Sequence, residues 1–446
     1  MNREDIIEIE ITDMSLDGNG IGKYDNLVVF VTGALLGDVV KAKVTKIKKN
    51  YILAKTVEII KASDYRIENS CEYGDLCGGC SLLNIKYEGQ LKLKEKQIRD
   101  KLIRLAKLDN PKMNNMVSME EPFRYRNKTT FAVKDGNVGF YKRKSNSLVC
   151  DTNDCMIQSE VSMAVAGAVR TFIAEDNIKD GVFDSITVKI AMGTGQVMVV
   201  FNILTKGIPN HEKLITIIDD EIYNLNNKYY LQSVVMINKK GESILLAGTK
   251  TITDSVFIGR ELEFEISAEA FYQVNTKQMI KLYEKVIEYA DLKGNETVYD
   301  LYCGVGTIGL TLADKAKFVV GIESVKEAIL NANRNAAING IVNAIYKTGK
   351  AEDELPELIN ERPCDVVILD PPRNGCDEKL LNTIAEAKAK KIVYVSCDPA
   401  TLARDIKILI ELDYEFIEAT PVDMFPHTMH VETVVLMSRV KVNTMF

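Results

Sequence analysis

Cys397 stands in Val393-Tyr-Val-Ser-Cys397-Asp-Pro399, on the turn after a run of β-branched and aromatic residues. A cysteine thiolate is strongly nucleophilic near neutral pH and adds to electron-poor carbon. Two more apolar runs end in chemistry: Val366-Val-Ile-Leu-Asp370-Pro-Pro-Arg373 in a carboxylate and two prolines, and Thr297-Val-Tyr-Asp300-Leu-Tyr-Cys-Gly304-Val-Gly306 in a glycine-rich turn. In His430-Val-Glu432-Thr-Val-Val-Leu-Met a carboxylate enters an apolar strand, where desolvation raises its pKa and suits it to act as a base. His427 and His430 are rival bases, or groups that cap the strand or touch phosphate.

A pyrimidine needs such a set to react at carbon 5. Thiolate addition at carbon 6 turns the ring into an enolate whose carbon 5 attacks an activated methyl group. A base then removes the carbon 5 proton, the thiol leaves, and the ring is restored. The bland alternative for Cys397 is a buried structural thiol, and its polar neighbours Ser396 and Asp398 argue against it. The turn Gly304-Val-Gly306-Thr-Ile-Gly309 has the Gly-x-Gly-x-x-Gly spacing of dinucleotide sites, and Glu323 at the end of Val319-Val-Gly-Ile-Glu323 is placed to accept ribose hydroxyls. NAD and S-adenosylmethionine share that ribose. The rigid lip at Asp370-Pro-Pro favours the methyl donor.

These strands belong to the segment from about 275 onward, where helices and buried strands alternate as in a doubly wound α/β sheet. At the other end, residues 1–60 alternate with a period of two through Ile6–Ile11, Leu27–Val31, Val39–Ile47 and Tyr51–Ile60, which predicts a small OB-like β-barrel. Between them, residues 61–265 predict an α+β domain with strands at 128–133, 185–190 and 196–201 and helices near 161–175 and 212–225. A charged helix over about 87–108, ended by Pro111, is placed to pack on the catalytic domain formed by residues 266–446.

The net charge of -7 speaks against a non-specific polyanion binder but conceals local patches. Residues 124–144 carry seven basic and one acidic side chain, interleaved with Tyr125, Phe131, Phe140 and Tyr141, and residues 86–107 carry eight basic and three acidic. That mixture suits a nucleic-acid surface. The charged N-terminus lacks a signal peptide's apolar core and no apolar run is long enough to cross a bilayer, so a cytoplasmic protein is expected, with a monomer favoured. Nine cysteines in a reducing compartment point to metal, cluster or catalytic roles rather than disulfides.

Phe271-Tyr-Gln273-Val-Asn275, Asp300-Leu-Tyr-Cys-Gly304, Asp370-Pro-Pro-Arg373, Ser396-Cys-Asp-Pro399 and His430-Val-Glu-Thr-Val434 occur in this order. In that order they resemble the RNA (uracil-5-)-methyltransferases, and the N-terminal barrel looks like the TRAM domain that often precedes ribosomal members. The resemblance covers essentially the whole chain. It implies a Rossmann-like, S-adenosylmethionine-dependent methyltransferase domain, with Cys397 as nucleophile and Glu432 as the base at carbon 5. It further implies that Gln273, Tyr302, Glu323 and Asp370 line the cofactor and uracil pocket. Two positions vary among relatives: asparagine replaces Thr307 in some, and phenylalanine replaces Tyr302.

Cys71, Cys77 and Cys80, spaced around Gly78-Gly79, form three ligands of an incomplete metal set, with Cys150 and Cys155 as candidates for the fourth. Spacing leaves zinc and iron–sulfur open. The resemblance implies a [4Fe-4S] cluster with Cys155 as fourth ligand, acting as a structural staple, because methyl transfer to an enolate consumes no electrons. The expected substrate is a uridine displaced from its stack in structured RNA, 23S ribosomal RNA before transfer RNA. The rivals are an NAD-dependent oxidoreductase and a non-catalytic RNA-binding protein.

Overall fold

The computed structural model describes residues 2–440 except 75, 144, 148, 226 and 227. Its N-terminal sheet has six strands in the order Ile6–Glu10, Val39–Ile47, Tyr51–Lys61, Leu27–Thr32, Gly20–Tyr24, Asp13–Met14. Because strand side chains alternate between faces, Ile7, Ile9, Val29, Val31, Val40, Val44 and Ile52 point into one apolar core. Buried Asp38 ties this barrel to the next segment: its carboxylate accepts from Leu35 N, Ser63 N and Arg66.

A seven-stranded sheet follows, in the order Ser243–Gly248, Tyr230–Ile237, Gln196–Ile203, Phe183–Ile190, Lys128–Lys134, Asn137–Tyr141, Val149–Asp151. Helices Glu160–Glu175 and His211–Leu225 bury Val165, Val169, Phe172, Leu214 and Ile218 against it. Ser159 caps the first helix by accepting from Val161 N. The hairpin Thr251–Ile258 and Arg260–Ser267 turns at Gly259 and drives Ile252, Leu262 and Phe264 into the core of the last domain, beside Met279 and Leu282.

The last sheet runs Ala344–Thr348, Phe318–Glu323, Thr297–Leu301, Val366–Leu369, Lys391–Ser396, Glu432–Arg439, Tyr414–Val422. Its first five strands are parallel, and the three that form its middle, 297–301, 366–369 and 391–396, are almost wholly buried, as apolar strands covered on both faces must be. The order reverses between Thr297–Leu301 and Val366–Leu369. That switch opens a crevice at their carboxyl ends, where open α/β sheets take ligands. Periodicity suggests a wholly parallel sheet, but Glu432–Arg439 is antiparallel to both its neighbours.

Helix Tyr87–Arg104 packs Ile98 and Leu102 against Leu402 and Ile406 of helix Pro399–Glu411. It stops short of the expected Leu108. Leu105 N and Ala106 N fold back onto Lys101 O, and Lys107 adopts a left-handed conformation, so the helix has ended before Pro111 is reached.

Candidate active site

The site is built at the carboxyl ends of four neighbouring strands. Ser396 faces Thr433 in the antiparallel pair, so the next step of that register sets Cys397 opposite Glu432. Asp398 ends the turn and caps helix Pro399–Glu411, accepting from Ala400 N and Thr401 N, which holds Cys397 just ahead of the helix. Asp370 leaves the adjoining parallel strand, one strand over from Cys397.

These groups act on one another electrostatically. Burial, then Glu432 and Asp370, push the Cys397 thiol up to about 11, and Arg373 opposes them. Burial and Asp370 hold Glu432 well above the ordinary carboxylate range, again against Arg373. Asp370 rises to about 7 through burial. Glu432 is 5% exposed and its buried Oε2 has no hydrogen-bond partner, which leaves that oxygen strongly basic. Arg373, given no role in the sequence reading beyond ending its motif, is the cation that serves both Cys397 and Glu432. A separate Asp-Pro-Pro-Arg motif gave no sign of this, because the pairing is long-range.

Carboxylates gather at the crevice beside them. Asp300 is buried. Its Oδ2 accepts from Gly309 N at 2.8 Å, while Oδ1 has no partner. Burial lifts it to about 7, with Asp370 and Glu323 adding to the effect. Gly306 sits at φ 83°, and a Cβ there would lie 2.9 Å from the Tyr346 hydroxyl, so the turn passes close under that ring. Glu323 is half-exposed at the end of the second strand, its Oε1 accepting from Val325 N. Gln273 is buried, and its carbonyl accepts from Asn127 Nδ2 at 2.9 Å, so the central domain fixes its backbone. Tyr302 has a left-handed backbone (φ 65°) and its ring lies among Cys376, Glu352 and Asp377, against the face opposite the Tyr283 side of the sheet. Tyr283, unremarked in the sequence, donates to or accepts from Thr307 Oγ1 at 2.9 Å and feels Asp370, Asp300 and Glu432 at once.

The two histidines separate. Both ring nitrogens of buried His427 are engaged, Nδ1 with Gln90 Nε2 and Nε2 with Pro122 O, and Phe123 stacks on it 4.6 Å away. His430 instead lines the same cavity as Cys397, of about 320 Å³. Ser15 and Leu16 of the barrel and Lys101 and Arg104 of helix Tyr87–Arg104 form its other walls. The thiol thus opens onto a cleft between barrel and catalytic domain, a wall that neither segment announces in its sequence.

Cys71, Cys77, Cys80 and Cys155 ring one cavity of about 50 Å³. Cys150 is buried to one side of it and does not line it, although it lies near Cys77. Burial and mutual repulsion raise the thiols of Cys77 and Cys155, and push Cys80 up to about 12. A metal or cluster bound among these thiols would have to draw off their protons. Among the described residues no three His, Cys, Asp or Glu side chains converge closely enough to hold a single metal ion.

This fold, with its switch-point crevice and orphaned acid, defines an S-adenosylmethionine-dependent methyltransferase. The pattern of the tRNA (uracil-5-)-methyltransferase family matches residues 86–440, and that of the TRAM domain residues 3–57. The chain belongs to that family. It is 42% identical to a protein of Clostridium acetobutylicum described as an uncharacterized RNA methyltransferase, over 97% of each chain. A second, from Caldanaerobacter subterraneus and described in the same words, is 40% identical over 97% of this chain and 98% of its own. The crystal structure of Pyrococcus abyssi tRNA (uracil-54, C5)-methyltransferase in complex with S-adenosyl-L-homocysteine superposes with a TM-score of 0.76 at 26% identity, covering 97% of this chain and all of that one.

Asp300→Asn tests the cofactor crevice. Its folded pKa, about 7, lies above the ordinary 3.8, so the native state holds a proton that the unfolded chain gives up. Stability from this group therefore falls as pH rises from about 4 through 7, by up to about 4 kcal/mol. Without ligand, the variant is expected to melt above wild type at pH 8, the gap shrinking toward pH 4. S-adenosylmethionine should raise the melting temperature of wild type but not of the variant. Equal ligand-induced shifts in both would remove Asp300 from the binding site.

Proposed function

We propose that the protein methylates carbon 5 of a uridine in structured RNA, through a covalent bond between Cys397 and carbon 6. What carries this reading is the antiparallel register that sets Cys397 opposite Glu432, with Asp370 and Arg373 in electrostatic reach of both. Bound S-adenosylmethionine supplies an electrophilic methyl group. Asp300, the Gly304–Gly306 turn, Tyr302 and Glu323 would hold it, with Gln273 and Asp370 toward the reacting end.

The residues do the remainder. The Cys397 thiol gives up its proton to solvent, and the thiolate bonds to carbon 6, moving the electrons of the ring double bond into an enolate whose carbon 5 is nucleophilic. Once carbon 5 carries the methyl group, Glu432 takes its remaining proton, the C–S bond breaks with its electrons returning to sulfur, and 5-methyluridine leaves. Desolvation of Glu432 suits it to a weakly acidic carbon proton. Gln273 would hold the uracil edge and Asp370 orient the uracil or the amine of the methyl donor. In the second site, Cys71, Cys77, Cys80 and Cys155 would hold a [4Fe-4S] cluster as a structural staple. Iron and visible absorbance in anaerobically purified protein support that, and a colourless zinc protein would reverse it.

The proposed substrate is 23S ribosomal RNA. A second reading, transfer RNA, gains from the Pyrococcus abyssi enzyme: it matches 97% of this chain, so a barrel of this kind also occurs in an enzyme acting on tRNA. Purified protein, labelled S-adenosylmethionine and the two RNAs from a deletion strain decide between them. Label in 5-methyluridine of one RNA and not the other names the substrate. Label in neither ends the reading.

A further inference from the structure

We propose that Ser81 is a positioning residue for the catalytic loop, holding Met429 and His427 so that the chain enters Glu432 in the orientation the reaction needs. The proposal rests on the role given to Glu432 above. Among the described residues its buried Oε2 has no hydrogen-bond partner, and Arg373 acts on the carboxyl only electrostatically. Its place is set by the strand that it opens, where it pairs with Val422, and by the backbone that leads into that strand, residues 423–431, which lie outside any strand or helix.

That loop is held from outside the catalytic sheet. Ser81 N and Leu82 N both donate to His427 O at 3.0 Å, and Met429 N donates to Ser81 Oγ at 3.2 Å. Helix Tyr87–Arg104 grips its other end, with buried Lys94 donating to Asp423 Oδ1 and to Phe425 O. His427 itself is held at φ 66°, a left-handed conformation that an ordinary side chain keeps only where its neighbours impose it. Lys94 and its partners fix the loop's start, whereas Ser81 fixes the stretch three residues before Glu432. Ser81 also follows Cys80 directly, so one short segment belongs both to the four-thiol cavity and to the support of the base. The loop and the cysteine segment are about 350 residues apart in sequence, a separation that hides the link from any local reading.

Ser81→Ala removes the acceptor for Met429 N and leaves both backbone donors in place. In the full-length protein, amide exchange is expected to quicken at Met429 and through His430–Glu432, while the Val393–Ser396 strand keeps its protection. With substrate RNA, a half-buried hydrogen bond lost near the base predicts release of product roughly fivefold slower, so that the covalent adduct accumulates. Adduct formation and RNA affinity stay at wild-type values, and Ser81→Thr, which keeps the hydroxyl, restores release. Unchanged exchange at Met429 overturns the proposal, as does loosened exchange with release at the wild-type rate. Equal slowing of adduct formation and release, alongside a lower melting temperature, would make Ser81 merely structural and overturn it as well. Should wild type form neither adduct nor 5-methyluridine, the proposed function fails, and exchange at Met429 still decides whether Ser81 holds the loop.

Discussion

Glu432→Gln protein mixed with substrate RNA and S-adenosylmethionine is expected to stop as a covalent protein–RNA adduct, visible as a slow band that survives denaturation. Glutamine fills the same space in the buried site but cannot take the proton from carbon 5. Addition and methyl transfer proceed, and the step that breaks the C–S bond slows at least about 100-fold. The substitution acts in the opposite direction on the nucleophile. Glu432 is one of the charges that push the Cys397 thiol up to about 11, so removing it lets the thiol ionise at lower pH. Adduct formation by the variant should accordingly begin at a lower pH than in wild type. If the variant turned over at the wild-type rate, another group would be the base. His430, which lines the same cavity, would then be the first to examine.

Cys397→Ala is expected to bind both RNA and S-adenosylmethionine while transferring no methyl group and trapping no adduct. Without the thiol, carbon 5 is not made nucleophilic, and the loss should exceed about 1,000-fold. Wild type offers a control on the chemistry. With the free thiol pushed up to about 11, alkylation of the Cys397 peptide should climb about tenfold per pH unit between pH 7 and 10, as the thiolate fraction does. Arg373→Gln should slow it at every pH, since that guanidinium is the charge favouring the thiolate. Peptide mass spectrometry reads both. Methylation at the wild-type rate by Cys397→Ala would end the covalent mechanism.

Much of this molecule was legible in the order of its residues, and the reason is local. Apolar runs bounded by turn residues mark Thr297–Leu301, Val366–Leu369 and Lys391–Ser396 as buried strands, and each carries its chemistry on the turn that follows. Alternation with a period of two marks the barrel, because one face of each strand must fill its core. Glu432 and Asp370 could be picked out because a carboxylate is costly to bury without a use, and Cys397 and the glycine turn because each directly follows an apolar run.

Other features depend on contacts between distant segments. A single strand does not encode its direction, so the antiparallel insertion of Glu432–Arg439, and with it the facing of Cys397 and Glu432, exists only once the sheet has formed. The same holds for the choice of Cys155 over Cys150 at the four-thiol cavity, five residues apart in sequence but turned to different surroundings. The raised pKa of Cys397 belongs to its burial and to two carboxylates on other elements, Glu432 and Asp370. The support that Ser81 gives to Met429 spans almost the whole chain. Residue type and periodicity specify which groups are capable of chemistry and which elements carry them. Register, burial and distance decide which of those groups meet, because those quantities arise only when the segments pack together.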